Sequence, residues 1–476
     1  MDLSSSGGQE AALAPTQQHR PDTINLPRSA PRIKAQTNEP PVRTRMTDTF
    51  ASRRGFLKAL AVGAVGAPIL GRAQALEAAL TSSMAGLSFR ADSIAAVRRL
   101  RDQYLLAPDL IYLNHASIGT VPRPVVDAHA GYLALCETHP SLYVWGSVWR
   151  ELAEAVRAQA ASLLNCLPDD LAITHNTTEG FSVLAHGLPL AAGDEVLFSS
   201  INHAGAAVAW DALAERRGFT VRRFPFPVER GADLTEAEVV ALHAAAVRPE
   251  TRVLVLPHVD NMIGLRHPVR EIAAAVRARG VEYVLVDGAQ SVGMIPVDLA
   301  SAGVDAYAMS PHKWLQSPKG LGLLYVSETL RPQLPRMWYK TPESRMDGTA
   351  RDYEDYSTRA WPAVVALGDA LAFQAALGAA EKDRRYRALW RRVRDRVDGD
   401  ASLVWRSPRD WSLSSVIMAV EVVGRPAPEL GPDLLDNEGA VVRAFGGDLN
   451  SLRISPNLMT TEDELDRFLD ALSARA

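Results

Sequence analysis

Lys313 is the first residue to weigh for chemistry, because it stands in Ser310-Pro311-His312-Lys313-Trp314 and is followed by Pro318-Lys319-Gly320-Leu321-Gly322. A lysine amine attacks a carbonyl to form an imine only where burial or a neighbouring cation depresses its pKa. Ser310 and His312 add donors of the kind an anion needs, and Gly320 and Gly322 allow close backbone approach. The competing reading is a solvated surface lysine. Asp287 closes the apolar run Val284-Leu285-Val286, with Gln290 in the small-residue loop beyond it. A carboxylate there either caps a loop or answers a cation, since an unpaired buried charge is costly. In Ile173-Thr174-His175-Asn176-Thr177-Thr178-Glu179-Gly180 an apolar run passes through hydroxyl residues into a helical pattern. Such a helix start is either a plain Thr cap or a phosphate site built from backbone N–H groups and the Thr177 and Thr178 hydroxyls. His203, after Val196-Leu197-Phe198 and Asn202, is either a loop histidine or an imidazole placed to stack on a ring and move a proton. Asn261 follows a further apolar run, Val253-Leu254-Val255-Leu256, and can offer an amide to a ligand oxygen.

These residues share one topological position. Runs such as Glu195-Val196-Leu197-Phe198, Val253-Leu254-Val255-Leu256 and Tyr283-Val284-Leu285-Val286 alternate with Ala/Arg-rich helical stretches. That alternation predicts an α/β domain around a mostly parallel sheet covered on both faces. Ligands of such sheets bind outside the carboxyl ends of the strands, where the polar residues above fall. The spacing of Ile272 and Val276 predicts a helix over 268–279, and a long helical stretch is expected over 364–397, opening a smaller domain.

The chain has 476 residues, 47% hydrophobic and 22% charged, enough for two domains of an ordinary globular enzyme. A net charge of -4 gives no basis for nucleic-acid binding. With two cysteines, Cys136 and Cys166, neither a disulfide framework nor a cysteine-rich metal site can be built, and no metal is expected.

An imine-forming lysine, a strand-end carboxylate, a phosphate cradle and a stacking imidazole are together what pyridoxal 5'-phosphate (PLP) requires. The order of these segments closely resembles the class V aminotransferases, the isopenicillin N epimerase and cysteine desulfurase relatives, from about Ile111 to Phe468. The resemblance implies fold type I, a large PLP-binding α/β domain plus a smaller C-terminal α+β domain. It implies that Lys313 carries the cofactor as an imine, that Asp287 faces the pyridine nitrogen, and that His203 stacks on the ring. Gln290 and Asn261 are implied near the phenolic oxygen, and Thr177, Thr178, Ser310 and His312 at the phosphate. Tyr353-Glu354-Asp355-Tyr356-Ser357-Thr358-Arg359 resembles the segment whose Thr, here Thr358, reaches the phosphate of the other subunit of a homodimer; Ser357 stands where Gly is usual. Leu452-Arg453-Ile454-Ser455 resembles the Arg-x-Ser segment that binds the substrate α-carboxylate. Tyr112-Leu113-Asn114-His115-Ala116-Ser117-Ile118-Gly119 resembles a segment lining the active site, with Asn114 and His115 as substrate-binding candidates.

The N-terminal part reads as an address. Residues 1–45 are too polar to form a core, and Met46 is the expected true start. Ser52-Arg53-Arg54-Gly55-Phe56-Leu57-Lys58, the apolar run 59–70 and Ala73-Gln74-Ala75 resemble a twin-arginine (Tat) signal, cleaved after about Ala75. The expected organisation is therefore a leader to 75, a helical arm over 76–110, a large domain over 111–362 and a small domain over 363–476. The expected function is a PLP enzyme of aminotransferase or epimerase type, acting on an amino acid or an amino-acid-containing metabolite. It is expected to pass the Tat translocon to the periplasm, or otherwise outside the membrane, without a permanent membrane anchor. The alternatives are an exported tailoring enzyme of a peptide metabolite such as a siderophore, acting by decarboxylation or elimination, and a non-catalytic PLP sensor. Persulfide chemistry is disfavoured because both cysteines precede Lys313.

Overall fold

The computed structural model describes residues 89–138, 140, 147–339 and 348–476. The expected leader with its twin-arginine segment, the expected start at Met46 and the expected arm up to residue 88 lie outside the described residues. In chain order the strands are β1 (Ile111–Tyr112), β2 (Leu171–Thr174), β3 (Glu195–Ser199), β4 (Thr220–Phe224), β5 (Thr251–Pro257), β6 (Tyr283–Asp287), β7 (Ala306–Met309) and β8 (Gly322–Val326). They continue with β9 (Leu403–Trp405), β10 (Met418–Val422), β11 (Ala440–Val441), β12 (Arg443–Phe445) and β13 (Ser451–Ile454).

Seven strands form the large sheet in the order β2-β8-β7-β6-β5-β3-β4. β8 runs antiparallel to both its neighbours, and the other pairings are parallel. The apolar runs are continuous rather than alternating because both faces are covered. On β5, Leu254 and Leu256 join one hydrophobic cluster while Val253 and Val255 join another. On β6, Val284 and Val286 face the first cluster and Tyr283 and Leu285 the second. The predicted amphipathic helix is present as Val269–Arg277, with Ile272 and Val276 fully buried.

A third cluster holds the C-terminal part together around the antiparallel sheet β12-β13-β10-β9. Two expectations need correction. The long helix is two, Trp361–Leu377 and Ala379–Asp398, bent by 76°. Gly378 between them adopts a φ of 77°, which a helix interior cannot contain. The boundary drawn at residue 111 also cuts through one unit: β1 pairs in parallel with β11, and Val97, Leu100, Ile111 and Leu113 share the cluster of residues 370–472. Apolar side chains that cannot be buried within one helix and a two-stranded ribbon find their partner surface far along the chain. No single helix among the described residues is long and apolar enough to cross a membrane.

Candidate active site

Asp287 is the last residue of β6 and is 6% exposed. Its Oδ1 accepts from the Ala289 N–H at 2.9 Å. Burial pushes its pKa up, while that N–H, Lys313 and His203 hold it down. Lys313 lies in the turn after β7, where its own N–H donates to the Ser310 carbonyl at 3.1 Å. Burial lowers its amine to about 8, resisted by Asp287 and reinforced by Arg453. His203 caps the helix Ala204–Arg217, its Nδ1 accepting from the Gly205 N–H at 3.0 Å. Its pKa is lowered by burial against the pull of Asp287. The fold thus brings the lysine, the carboxylate and the imidazole into one electrostatic group from three strand ends.

The turn after β2 forms the second wall. Asn176, not a threonine, caps the helix Thr177–Gly187, its side chain accepting from the Glu179 N–H at 2.9 Å. Neither threonine hydroxyl is therefore spent on capping the helix. Thr177 Oγ1 lies 2.7 Å from Ser310 Oγ, joining the helix start to the lysine turn. Thr178 Oγ1 lies beside Gly205, only 2.9 Å from where a Cβ would stand. His312 is partly buried, its Nδ1 has no partner among the described residues, and burial lowers its pKa to about 4. Hydroxyls, helix-terminal N–H groups and an imidazole nitrogen without a partner suit a phosphate. With Lys313 for an aldehyde and Asp287 for a pyridine nitrogen, the residues present fit PLP.

Arg453, on β13, forms the third wall and is 2% exposed. Its Nη1 donates to the Asn261 carbonyl at 2.9 Å, and its Nη2 to Asn114 Oδ1 at 2.8 Å and Ser117 Oγ at 2.5 Å. All three acceptors are neutral, and its Nε has no partner among the described residues. Burial, with help from Arg443, lowers its pKa to about 10. The Asn261 carbonyl is aimed by its neighbour: the buried Asp260 accepts from the N–H groups of Met262 at 2.7 Å, Ile263 at 2.8 Å and Leu265 at 2.6 Å. Gly264 completes the turn at φ 69°, where a Cβ would fall 1.9 Å from the Ile417 carbonyl.

Several expected roles change. His115 has no exposed surface; Nε2 bonds Thr120 Oγ1 at 3.1 Å and the ring packs on Tyr112. It therefore supports the site from behind and cannot meet a substrate from this position. Gln290 donates to the Ala116 carbonyl and accepts from Trp314 Nε1, both at 2.8 Å. Its carbonyl is consumed in tying the 114–119 segment to the residue after Lys313, leaving one N–H for any ligand. Asn114 reaches the site through Arg453, and Asn261 through its carbonyl, while its side-chain amide makes no hydrogen bond among the described residues. Thr358 is exposed and makes no hydrogen bond to the phosphate donors of its own chain. Its loop is held by buried Glu354, which accepts from Arg157, Arg359 and the Ile173 N–H of β2. Ser357 takes the left-handed conformation at φ 85°, so the loop keeps the path a glycine would allow.

Sequence reasoning passed over Ser117 and Gly119. Gly119 is a legible signal in hindsight: a Cβ there would sit 2.0 Å from the Lys313 carbonyl oxygen, so only glycine admits this approach.

A strand-end aspartate, a lysine turn and a phosphate cradle on a mostly parallel sheet define a fold type I PLP enzyme. The chain belongs to the class V aminotransferase family, whose sequence profile matches residues 111–468. Isopenicillin N epimerase of Streptomyces clavuligerus is 32% identical over 400 residues, covering 80% of this chain and 99% of that protein. A cysteine desulfurase of Yersinia pestis is 31% identical over 258 residues, covering 52% of this chain and 61% of that one. Among solved structures, a mutant of the cystine C-S lyase C-DES with glycine covalently linked to the PLP cofactor superposes with a TM-score of 0.69 at 24% identity, covering 78% of this chain and 98% of that one.

Proposed function

We propose that this enzyme labilises the Cα proton of an amino acid or amino-acid-containing metabolite, with Lys313 as the base that removes it, and that a solvent-derived proton is then added to the opposite face of Cα, as an epimerase requires. The observation that carries this reading is Arg453: a buried guanidinium bonded to three neutral oxygens, whose charge is felt at Lys313. Such a cation calls for an anion, and a planar fork suits an α-carboxylate. PLP, when bound, supplies the electron sink that acidifies the Cα proton. Arg453 then orients the amino acid, Asp287 keeps the pyridine nitrogen protonated, and the Lys313 amine, lowered to about 8, takes the proton from Cα. Thr177, Thr178, Ser310 and His312 would hold the cofactor's phosphate, and His203 would support its ring.

The Streptomyces relative, matched along 99% of its length, supports epimerisation over amino-group transfer. Decarboxylation or elimination on an exported peptide metabolite has no comparable support, nor has a cofactor sensor without catalysis. The test is Cα deuterium incorporation from D2O over a panel of amino acids and peptides. Exchange with chiral scrambling, absent in Lys313→Ala, is expected; release of oxo acids in its place would make the enzyme an aminotransferase, and exchange persisting in Lys313→Ala would refute the base.

The same reading includes a homodimer in which Thr358 completes the neighbour's phosphate cradle, supported by its exposure at the end of an anchored loop. An active monomer in sedimentation refutes it. It also includes Tat-dependent export of the PLP-loaded enzyme to the periplasm, supported by the Ser52–Lys58 motif and the small-residue site at Ala73–Ala75.

A further inference from the structure

We propose that Arg443 is a second anion-binding residue of the substrate pocket, so that the substrate carries a further carboxylate, or an equivalent anion, beyond the one held by Arg453. This rests on the reading that Arg453 takes the α-carboxylate. β12 and β13 are antiparallel neighbours whose register sets Arg443 directly opposite Arg453. Residues so opposed project from the same face of the sheet, where like charges repel and weaken the pairing. An acid beside them would normally dilute that repulsion. Here Arg443 forms no ion pair and no hydrogen bond among the described residues. Arg453 meets only neutral oxygens. Asp260, whose charge Arg453 feels, is already occupied by three backbone N–H groups.

The two cations share one support. Their guanidinium carbons stand 5.9 Å and 5.8 Å from the centroid of the Phe445 ring, for Arg443 and Arg453 respectively. Phe445 is itself partly buried against the core, so the ring is a fixed platform between them. Their exposures differ in the sense a graded pocket requires: Arg453 is buried and Arg443 is open to solvent. Arg443 also lies near enough for its charge to lower the proton affinity of His203 as well as that of Arg453. A substrate with a second anion on its side chain would bridge the pair and remove the repulsion. A neutral side chain would leave Arg443 to water.

The test titrates the holoenzyme with L-glutamate and L-2-aminoadipate against the uncharged L-glutamine and L-norleucine, following the absorbance of the bound cofactor. Wild type is expected to bind the dicarboxylates roughly tenfold more tightly, the size of one added charge-assisted contact. Arg443→Met should bring the glutamate-to-glutamine ratio close to one, and Arg443→Lys should restore part of the preference. Equal binding of both classes by wild type, or a preference that survives in Arg443→Met, overturns the proposal and leaves the amino-acid reading standing. Loss of bound cofactor from Arg443→Met on dialysis would assign the residue to the cofactor phosphate and overturn it as well. No response to any of the four probes overturns this proposal and leaves the amino-acid reading to the peptides of the exchange panel.

Discussion

Gly119→Ala adds one methyl group at the point where the 114–119 segment crosses the lysine turn. Its Cβ would stand 2.0 Å from the Lys313 carbonyl oxygen, 2.5 Å from that of His312 and 2.8 Å from the Lys313 carbonyl carbon. A carbon-to-oxygen contact settles at about 3.3 Å, so the two backbones must part by about 1.3 Å. No rotamer change relieves a clash with backbone. Neither side yields freely: the His115 N–H bonds the Ser455 carbonyl at 3.1 Å and the Ala116 N–H bonds Ser455 Oγ at 3.2 Å. On the far side of the turn Gly293, at φ 95°, stands so close that its own Cβ would lie 2.5 Å from the Trp314 carbonyl carbon. The displacement therefore passes into Lys313. A reacting group misplaced by about 1 Å costs roughly 100-fold in rate, and overpacking of this kind costs about 1–3 kcal/mol of stability. The assay is kcat for Cα proton exchange, with cofactor stoichiometry from its absorbance and Tm by calorimetry. Gly431→Ala, whose Cβ would meet only Ala444 at 3.4 Å, serves as the control. If Gly119→Ala exchanges within threefold of wild type at an unchanged Tm, the close approach does not position Lys313 and the reasoning is wrong.

The exchange rate should rise with pH to a limb near the Lys313 value of about 8 and then level, because the neutral amine is the base. In the cofactor-free protein, Asp287→Asn removes the charge that favours the ammonium form and should move the titration of Lys313 to lower pH; an unmoved or raised titration would contradict the assignment. Ser357→Gly should be more stable than Ser357→Ala by about 1 kcal/mol, since only glycine is unstrained at positive φ, and equal thermal midpoints would show the loop has relaxed. Replacing both Arg53 and Arg54 by Lys should trap PLP-loaded, unprocessed protein in the cytoplasm, whereas normal export would remove the twin-arginine reading and leave the PLP site untouched.

Local pattern was sufficient for the strands and for the ends at which chemistry sits. Val284-Leu285-Val286-Asp287 declares a doubly covered strand ending in a carboxylate, and Ser310-Pro311-His312-Lys313 a donor-rich lysine turn, because strand burial and turn chemistry are properties of a few consecutive residues. The break at Gly378 was legible as a glycine, although the apolar period runs through it on both sides. Tertiary structure alone decided which side chains remain free for a ligand. Gln290 has the right chemistry, but Ala116 and Trp314 take its carbonyl and one of its N–H groups, and those partners are assigned only when distant segments pack; His115 is withdrawn from the surface by the same packing. Arg443 and Arg453 read in sequence as unrelated basic residues; the register of one antiparallel pair makes them opposite members of a single face. Hydrogen bonds and charges act through space over a few ångströms, so the neighbours that set the pKa of Lys313 and the orientation of Arg453 come from four separate stretches of chain.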